Sequence, residues 1–224
     1  MNKYQENIVP AANQNKKSVF LYPGAGLKIL FVGNSITRHA PKPEIGWNRE
    51  CGMAASCLEK DYVHQVMKRV RQIDPEAGFC IAQVAPFERD FANPQVLEKY
   101  REAAEFEADI IVMFFGANVS KDYDHALEKP VRFGDAYETL RNFLNVTGKA
   151  HVIHSQGFYI RPVLDAEKEA VAKKYGDIFV SMEEIRQRDD THGEFNHPSD
   201  LGMEEIAKAF FKEMEPILHA LKAK

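Results

Sequence analysis

The chain of 224 residues is 45% hydrophobic and 28% charged, enough apolar material for one sizeable core within the usual size range of a single α/β domain. A net charge of −4, with basic residues dispersed along the chain, supplies no electrostatic footprint for nucleic acid. Cys51, Cys57 and Cys80 form neither a disulfide framework nor a CxxC pair with metal spacing, and no stretch is apolar for long enough to span a bilayer; a cytoplasmic protein with reduced thiols and no membrane partner is expected.

Residues 1–26 are read as an N-terminal arm, with little periodicity up to residue 17, ahead of one domain over 27–224. From Leu27 the unbroken apolar run LKILFVG predicts a central parallel strand covered on both faces. After a long polar insert, Asp61 caps a helix in which Tyr62, Val63, Val66, Met67, Val70 and Ile73 fall at helical spacing. Residues 78–84 predict a second strand, Asn93-Pro94 a cap and first-turn proline opening a helix through Phe106, and residues 108–116 the third and most apolar strand.

Phe133, Ala136, Tyr137, Leu140 and Leu144 mark the next helix, which Gly148 stops. KAHVIHS supplies a fourth strand, a helix covers Asp165 to Tyr175, and DIFVSM is a short fifth strand. Met203, Ile206, Ala207, Phe210, Met214, Leu218 and Leu221 share one face of a last helix, with Pro216 expected to kink it. Strands alternating with helices predict an α/β fold: a five-stranded parallel sheet between two helical layers, in flavodoxin-like or Rossmann-like order, with active groups at the strand C-termini.

Three segments fall at the loops where such an architecture collects function. Gly33-Asn34-Ser35-Ile36-Thr37 presents a hydroxyl after the first strand, as a nucleophile or as the N-cap of a following helix. Phe115-Gly116-Ala117-Asn118 ends the third strand with an amide able to donate to an oxyanion, or with an ordinary turn asparagine. Glu194-Phe195-Asn196-His197-Pro198 stands in a polar loop before the last helix, where an imidazole can reach a distant serine or simply lie at the surface. Each piece is weak alone; together they supply nucleophile, oxyanion donor and base. GNSIT is not a GxxxxGK[ST] phosphate loop and no GxGxxG follows the first strand, so neither nucleotide reading is supported.

The segment ILFVGNSIT resembles the first block of the SGNH (GDSL-like) hydrolases, in the form found in a bacterial GNSIT-type branch. FFGANV resembles the block with their Gly-x-Asn, and EFNHPSDLGMEEIA the last block, where a catalytic histidine is followed by proline and then by a glycine at the C-terminal helix. The resemblance implies a flavodoxin-like SGNH hydrolase fold and a serine esterase with Ser35 as nucleophile and His197 as base. Glu194 stands where the family usually has Asp, with Asp189, Asp190, His192 or a backbone carbonyl as other partners for the imidazole. The implied oxyanion donors are Ser35, Asn118 and a backbone N–H at Glu88. That last one replaces a family glycine missing from the loop QVAPFERDF, where Phe87 and Arg89 would shape the substrate pocket.

Such an enzyme needs no metal or organic cofactor. Its expected substrates are short acyl esters, including O-acetyl groups on carbohydrate. Trp47, in the insert KPEIGWNRECGMAASCLEKDYVH, is either a substrate contact or a hydrophobic plug. An acyltransferase, or a non-catalytic module binding carbohydrate or another small ligand on the same fold, are the alternatives.

Overall fold

A computed structural model describes residues 17–223. The chain opens with β1 (Val19–Tyr22) and β2 (Lys28–Gly33), then α1 (Tyr62–Ile73), β3 (Gly78–Gln83) and the short α2 (Ala85–Arg89). It continues through α3 (Arg101–Glu105), β4 (Ile110–Phe114), α4 (Asp122–His125), α5 (Phe133–Leu144) and β5 (His151–Ser155). Next come α6 (Pro162–Tyr175), β6 (Ile178–Val180), α7 (Glu183–Arg186) and the long α8 (Asp200–Lys222).

The strands form one sheet in the order β1-β3-β2-β4-β5-β6, with β2 to β6 parallel. This is the flavodoxin-like order with one added edge. The expected five strands gain β1, which pairs antiparallel with β3 from Val19 opposite Ala82 to Tyr22 opposite Phe79. Residues 19–22 of the expected arm therefore belong to the sheet, while residues 1–16 lie outside the described residues. Four apolar residues are too short a run to declare a strand by periodicity; the edge of β3 is what organises them.

The period-2 alternation of the central strands divides the core in two. Ile29, Phe31, Phe79, Ile110, Val112 and Phe114 face α1 and α8, where the rings of Tyr62 and Phe210 pack on Phe114. Leu30, Val32, Cys80, Ile111 and Met113 face the layer holding Tyr100, Ala103, Tyr137, Leu140 and Leu164. Burying each such large side chain contributes about 1.5–3 kcal/mol, which holds both helical layers on the sheet.

Local signals in the sequence are used largely as expected. The Asp61 carboxylate accepts from His64 N at 2.7 Å as the N-cap of α1, and its second oxygen accepts from Gly52 N at 3.1 Å, fastening the insert. Asn93 caps its helix through Gln95 N, but Pro94–Tyr100 is a 3-10 helix and the α-helical part is only α3. α8 runs unbroken through Pro216 to Lys222. Cys51, Cys57 and Cys80 are free thiols.

Candidate active site

The site lies where the order of the sheet reverses, between the C-terminal ends of β2 and β4, the crevice that open α/β sheets use for ligands. After β2 the chain turns at once: Thr37 N and Arg38 N both donate to Asn34 O, and Ile36 N donates to Asn34 Oδ1. A Cβ on Gly33 would lie 1.7 Å from Thr37 Oγ1, so this turn requires glycine there. Ser35 sits at the top of the turn and caps no helix, since the next helical residues are Pro43–Ile45.

Ser35 Oγ lies 2.7 Å from His197 Nε2 across 162 residues of chain. The other ring nitrogen, Nδ1, is 2.7 Å from the Phe195 carbonyl oxygen. A carbonyl only accepts, so Nδ1 carries the proton and Nε2 keeps a lone pair facing the serine hydroxyl. Burial, the dominant cause, holds the His197 pKa below the usual histidine value; His39 nearby adds to this and the Phe195 carbonyl opposes it.

The Phe195 carbonyl occupies the place expected for a carboxylate. Glu194 is exposed, and its backbone carbonyl accepts from His197 N at 3.0 Å. Asp190 pairs with Arg188 at 2.9 Å, and His192 Nε2 lies 3.1 Å from the Arg186 carbonyl. Phe195 and Asn196 both adopt φ of 56°, a left-handed backbone costing about 1–2 kcal/mol per residue without glycine. That conformation aims the Phe195 carbonyl at His197 and the Asn196 carbonyl at Tyr159 Oη, which donates to it at 2.6 Å. The loop is anchored by Thr191, whose Oγ1 donates to the Ile185 carbonyl at 2.6 Å, and by Ser199, the N-cap of α8.

Beyond β4, Gly116 has φ of 135°, a conformation L side chains rarely adopt, and the half-buried Asn118 follows it in the same loop. A buried polar layer supports this loop from α6 and the segment before it. Lys168 Nζ donates to the Phe115 carbonyl at 3.2 Å and pairs with Asp165 at 3.0 Å, and Arg161 donates to the Val119 and Ser120 carbonyls at 2.9 Å each.

The second-block loop differs most from expectation. Residues 85–89 form α2, and Glu88 N donates to the Val84 carbonyl at 3.0 Å, so that N–H is not a free oxyanion donor. Phe87 N is likewise bound to Tyr100 Oη at 3.2 Å, and the Phe87 ring is buried edge-on to Phe115 in the core instead of lining the crevice. What α2 brings to the site is the Glu88 carboxylate, which is buried and bonded to Asn34 Nδ2, Gly116 N, Asn118 N and Asn118 Nδ2. Arg89 is exposed and its Nη2 donates to Asn118 Oδ1 at 3.0 Å.

Trp47 has no exposed surface and is the plug of the insert: its Nε1 lies 3.5 Å from the His39 carbonyl and its ring sits edge-on to Phe195. A buried indole offers no free face to a sugar. Phe195, 37% exposed beside His197, is the accessible aromatic instead. Its neighbourhood to the imidazole was visible in the sequence; its exposure was not.

No protein-family model matches the sequence. No curated protein sequence matches it either. The shape of the fold is more informative. A family two carbohydrate esterase from Clostridium thermocellum, in complex with cellohexaose, superposes with a TM-score of 0.60 over 88% of this chain at 17% identity. One from Cellvibrio japonicus gives 0.54 over 89% at 15% identity. The chain spans just under two thirds of those esterases, 66% and 63% of their length. A protein described as a GDSL-like lipase, from Bacteroides uniformis ATCC 8492, gives 0.55 at 14% identity, covering 86% of this chain and 97% of its own.

The fold is that of the SGNH (GDSL-like) hydrolases. In that fold the ends of β2 and β4 and the loop before α8 carry Ser35, Asn118 and His197, the three positions for which the sequence motifs were read. Among the described residues no helix is long and apolar enough to cross a membrane.

Proposed function

We propose that this protein is a serine esterase acting on short acyl esters, including O-acetyl groups on carbohydrate. The observation that carries the reading is the 2.7 Å contact between Ser35 Oγ and the unprotonated Nε2 of His197, whose tautomer is set by the Phe195 carbonyl. A nucleophile, a base and an orienting acceptor in hydrogen-bond sequence are what acyl transfer needs.

In the proposed reaction His197 Nε2 takes the hydroxyl proton as Ser35 Oγ attacks the ester carbonyl carbon. The carbonyl oxygen becomes an oxyanion, met by the Ser35 backbone N–H and Asn118 Nδ2. On collapse the bond to the alcohol oxygen breaks, His197 returns the proton to the leaving alcohol, and an acyl-serine remains. Water then attacks with His197 as base, releasing the acid and restoring Ser35. No carboxylate takes part in this scheme; the imidazolium is oriented by the Phe195 main-chain carbonyl.

The carbohydrate preference is supported by the fold shared with the family two carbohydrate esterases. The test is hydrolysis of a p-nitrophenyl ester series and of acetylated sugars by wild type and Ser35→Ala. Turnover that disappears in Ser35→Ala with an unchanged melting temperature is the expected result. Retained turnover in the variant would remove Ser35 as nucleophile, and absence of both turnover and fluorophosphonate labelling in wild type would leave a binding module.

A further inference from the structure

Two adjacent residues of α2 hold the two ends of one side-chain amide. Asn118 Nδ2 donates to Glu88 Oε2 at 2.5 Å, and Asn118 Oδ1 accepts from Arg89 Nη2 at 3.0 Å. A carboxylate only accepts and a guanidinium only donates, so this pair permits one orientation of the amide and excludes its flip. One Nδ2 hydrogen is thereby engaged by Glu88 and the other is left for a ligand.

The second Glu88 oxygen, Oε1, accepts from Asn34 Nδ2 at 3.0 Å, Gly116 N at 2.5 Å and Asn118 N at 3.3 Å. Asn34 directly precedes Ser35, so a single buried carboxylate ties the nucleophile turn after β2 to the amide loop after β4. Hydrogen bonds to an ionised partner are about twice as strong as neutral ones, which suits a group whose task is to fix geometry. A negative group this close to a developing oxyanion would by its charge alone oppose it. Its benefit must then come from positioning, with the adjacent Arg89 cation offsetting the field.

We infer that Glu88 and Arg89 are positioning residues that preorganise Asn118 as an oxyanion donor, Glu88 by holding its amide nitrogen and backbone, Arg89 by holding and polarising its carbonyl end. This deepens the esterase reading and rests on it. Donors fixed before reaction cost no reorganisation as charge develops, so the loss of either clamp falls on turnover and not on ground-state binding.

The test measures kcat and KM for p-nitrophenyl acetate with the full chain carrying Glu88→Gln, Arg89→Ala, Asn118→Ala, or Arg89→Ala with Asn118→Ala. Glu88→Gln keeps the shape but turns an NH2 toward one set of donors; kcat should fall about 10- to 100-fold with KM within about 3-fold. Arg89→Ala should lower kcat about 3- to 10-fold in wild type and under about 2-fold once Asn118 is alanine, because it acts through that amide.

An unchanged or raised kcat in Glu88→Gln overturns the role of Glu88. An undiminished Arg89→Ala effect in the Asn118→Ala background, or a rise confined to KM, overturns that of Arg89 and makes it a substrate contact. If Glu88→Gln fails to fold by circular dichroism, the Arg89 cycle decides the inference by itself. Wild type without Ser35-dependent turnover would withdraw the esterase reading and the inference together, a result distinct from an active enzyme indifferent to these substitutions.

Discussion

At the scale of single residues, the site works through groups whose neighbours leave them one role. His197 presents a lone pair to Ser35 because the Phe195 carbonyl takes the Nδ1 proton, and burial keeps the ring neutral. Since its pKa is lowered, the base form persists to more acidic pH. The acid limb of kcat/KM should therefore have its midpoint below the ordinary histidine value of about 6.5. A pH–rate profile with a limb centred at or above that value would contradict the assignment of His197. Substituting Glu194 with Gln should leave kcat within about 2-fold, because its carboxylate is exposed and the imidazole is oriented by main chain. A loss of about 10⁴-fold, as expected on removing a true triad acid, would restore the carboxylate to the mechanism.

At the scale of elements, the base is held by the junction between its loop and α8. Gly202, in the first turn of α8, donates its N–H to Ser199 Oγ at 3.2 Å, and a Cβ there would lie 2.2 Å from the Thr191 carbonyl oxygen. That oxygen also accepts from Ser199 N at 2.8 Å, so it cannot retreat without loosening the strut that carries residues 192–198. Gly202→Ala should cost about 1–3 kcal/mol by overpacking and lower kcat/KM at least 10-fold or so as His197 is displaced. Urea denaturation and steady-state kinetics check the two halves. Normal kinetics with a lowered midpoint would show that the loop relaxes independently of the base. The glycine of the last sequence block thus has a steric reason: close approach of helix to loop, not backbone freedom.

At the scale of the whole molecule, buried neutral imidazoles link stability to pH. His154 is fully buried, with Tyr137 Oη 2.8 Å from Nδ1 and Asp177 Oδ2 2.9 Å from Nε2, and burial lowers its pKa despite the opposing carboxylate. His39 and His197 are lowered as well, again chiefly by burial. Their unfolded forms titrate near 6.5, so the unfolded chain takes up protons first as pH falls. The stability these groups contribute is present above that value and is lost as pH falls toward their folded values. Thermal melts between pH 7 and pH 5 should show a declining Tm, with a shallower decline in His154→Gln. A Tm that rises on acidification over that range would refute the linkage.

The sequence by itself determined the five parallel strands, the long helices between them and the three motif positions. The short unbroken apolar run before Gly33 is a buried strand, the 3.6-residue spacing of Tyr62 to Ile73 gives a helix with one buried face, and Asp61 marks where that helix starts. Ser35 and Asn118 were legible because an open α/β sheet presents its strand ends on one edge, and His197 because it stands in the last motif block before α8. Tertiary structure alone decided what surrounds them. Glu88 reads as a backbone oxyanion donor until four N–H groups, from the turn after β2 and the loop after β4, converge on its carboxylate. Trp47 is the plug and Phe195 the exposed ring because exposure depends on what packs above them, and β1 exists because β3 offers an unpaired edge. Local spacing encodes which way a side chain points along its own segment. The partner it meets there comes from distant segments, and only the folded chain brings them together.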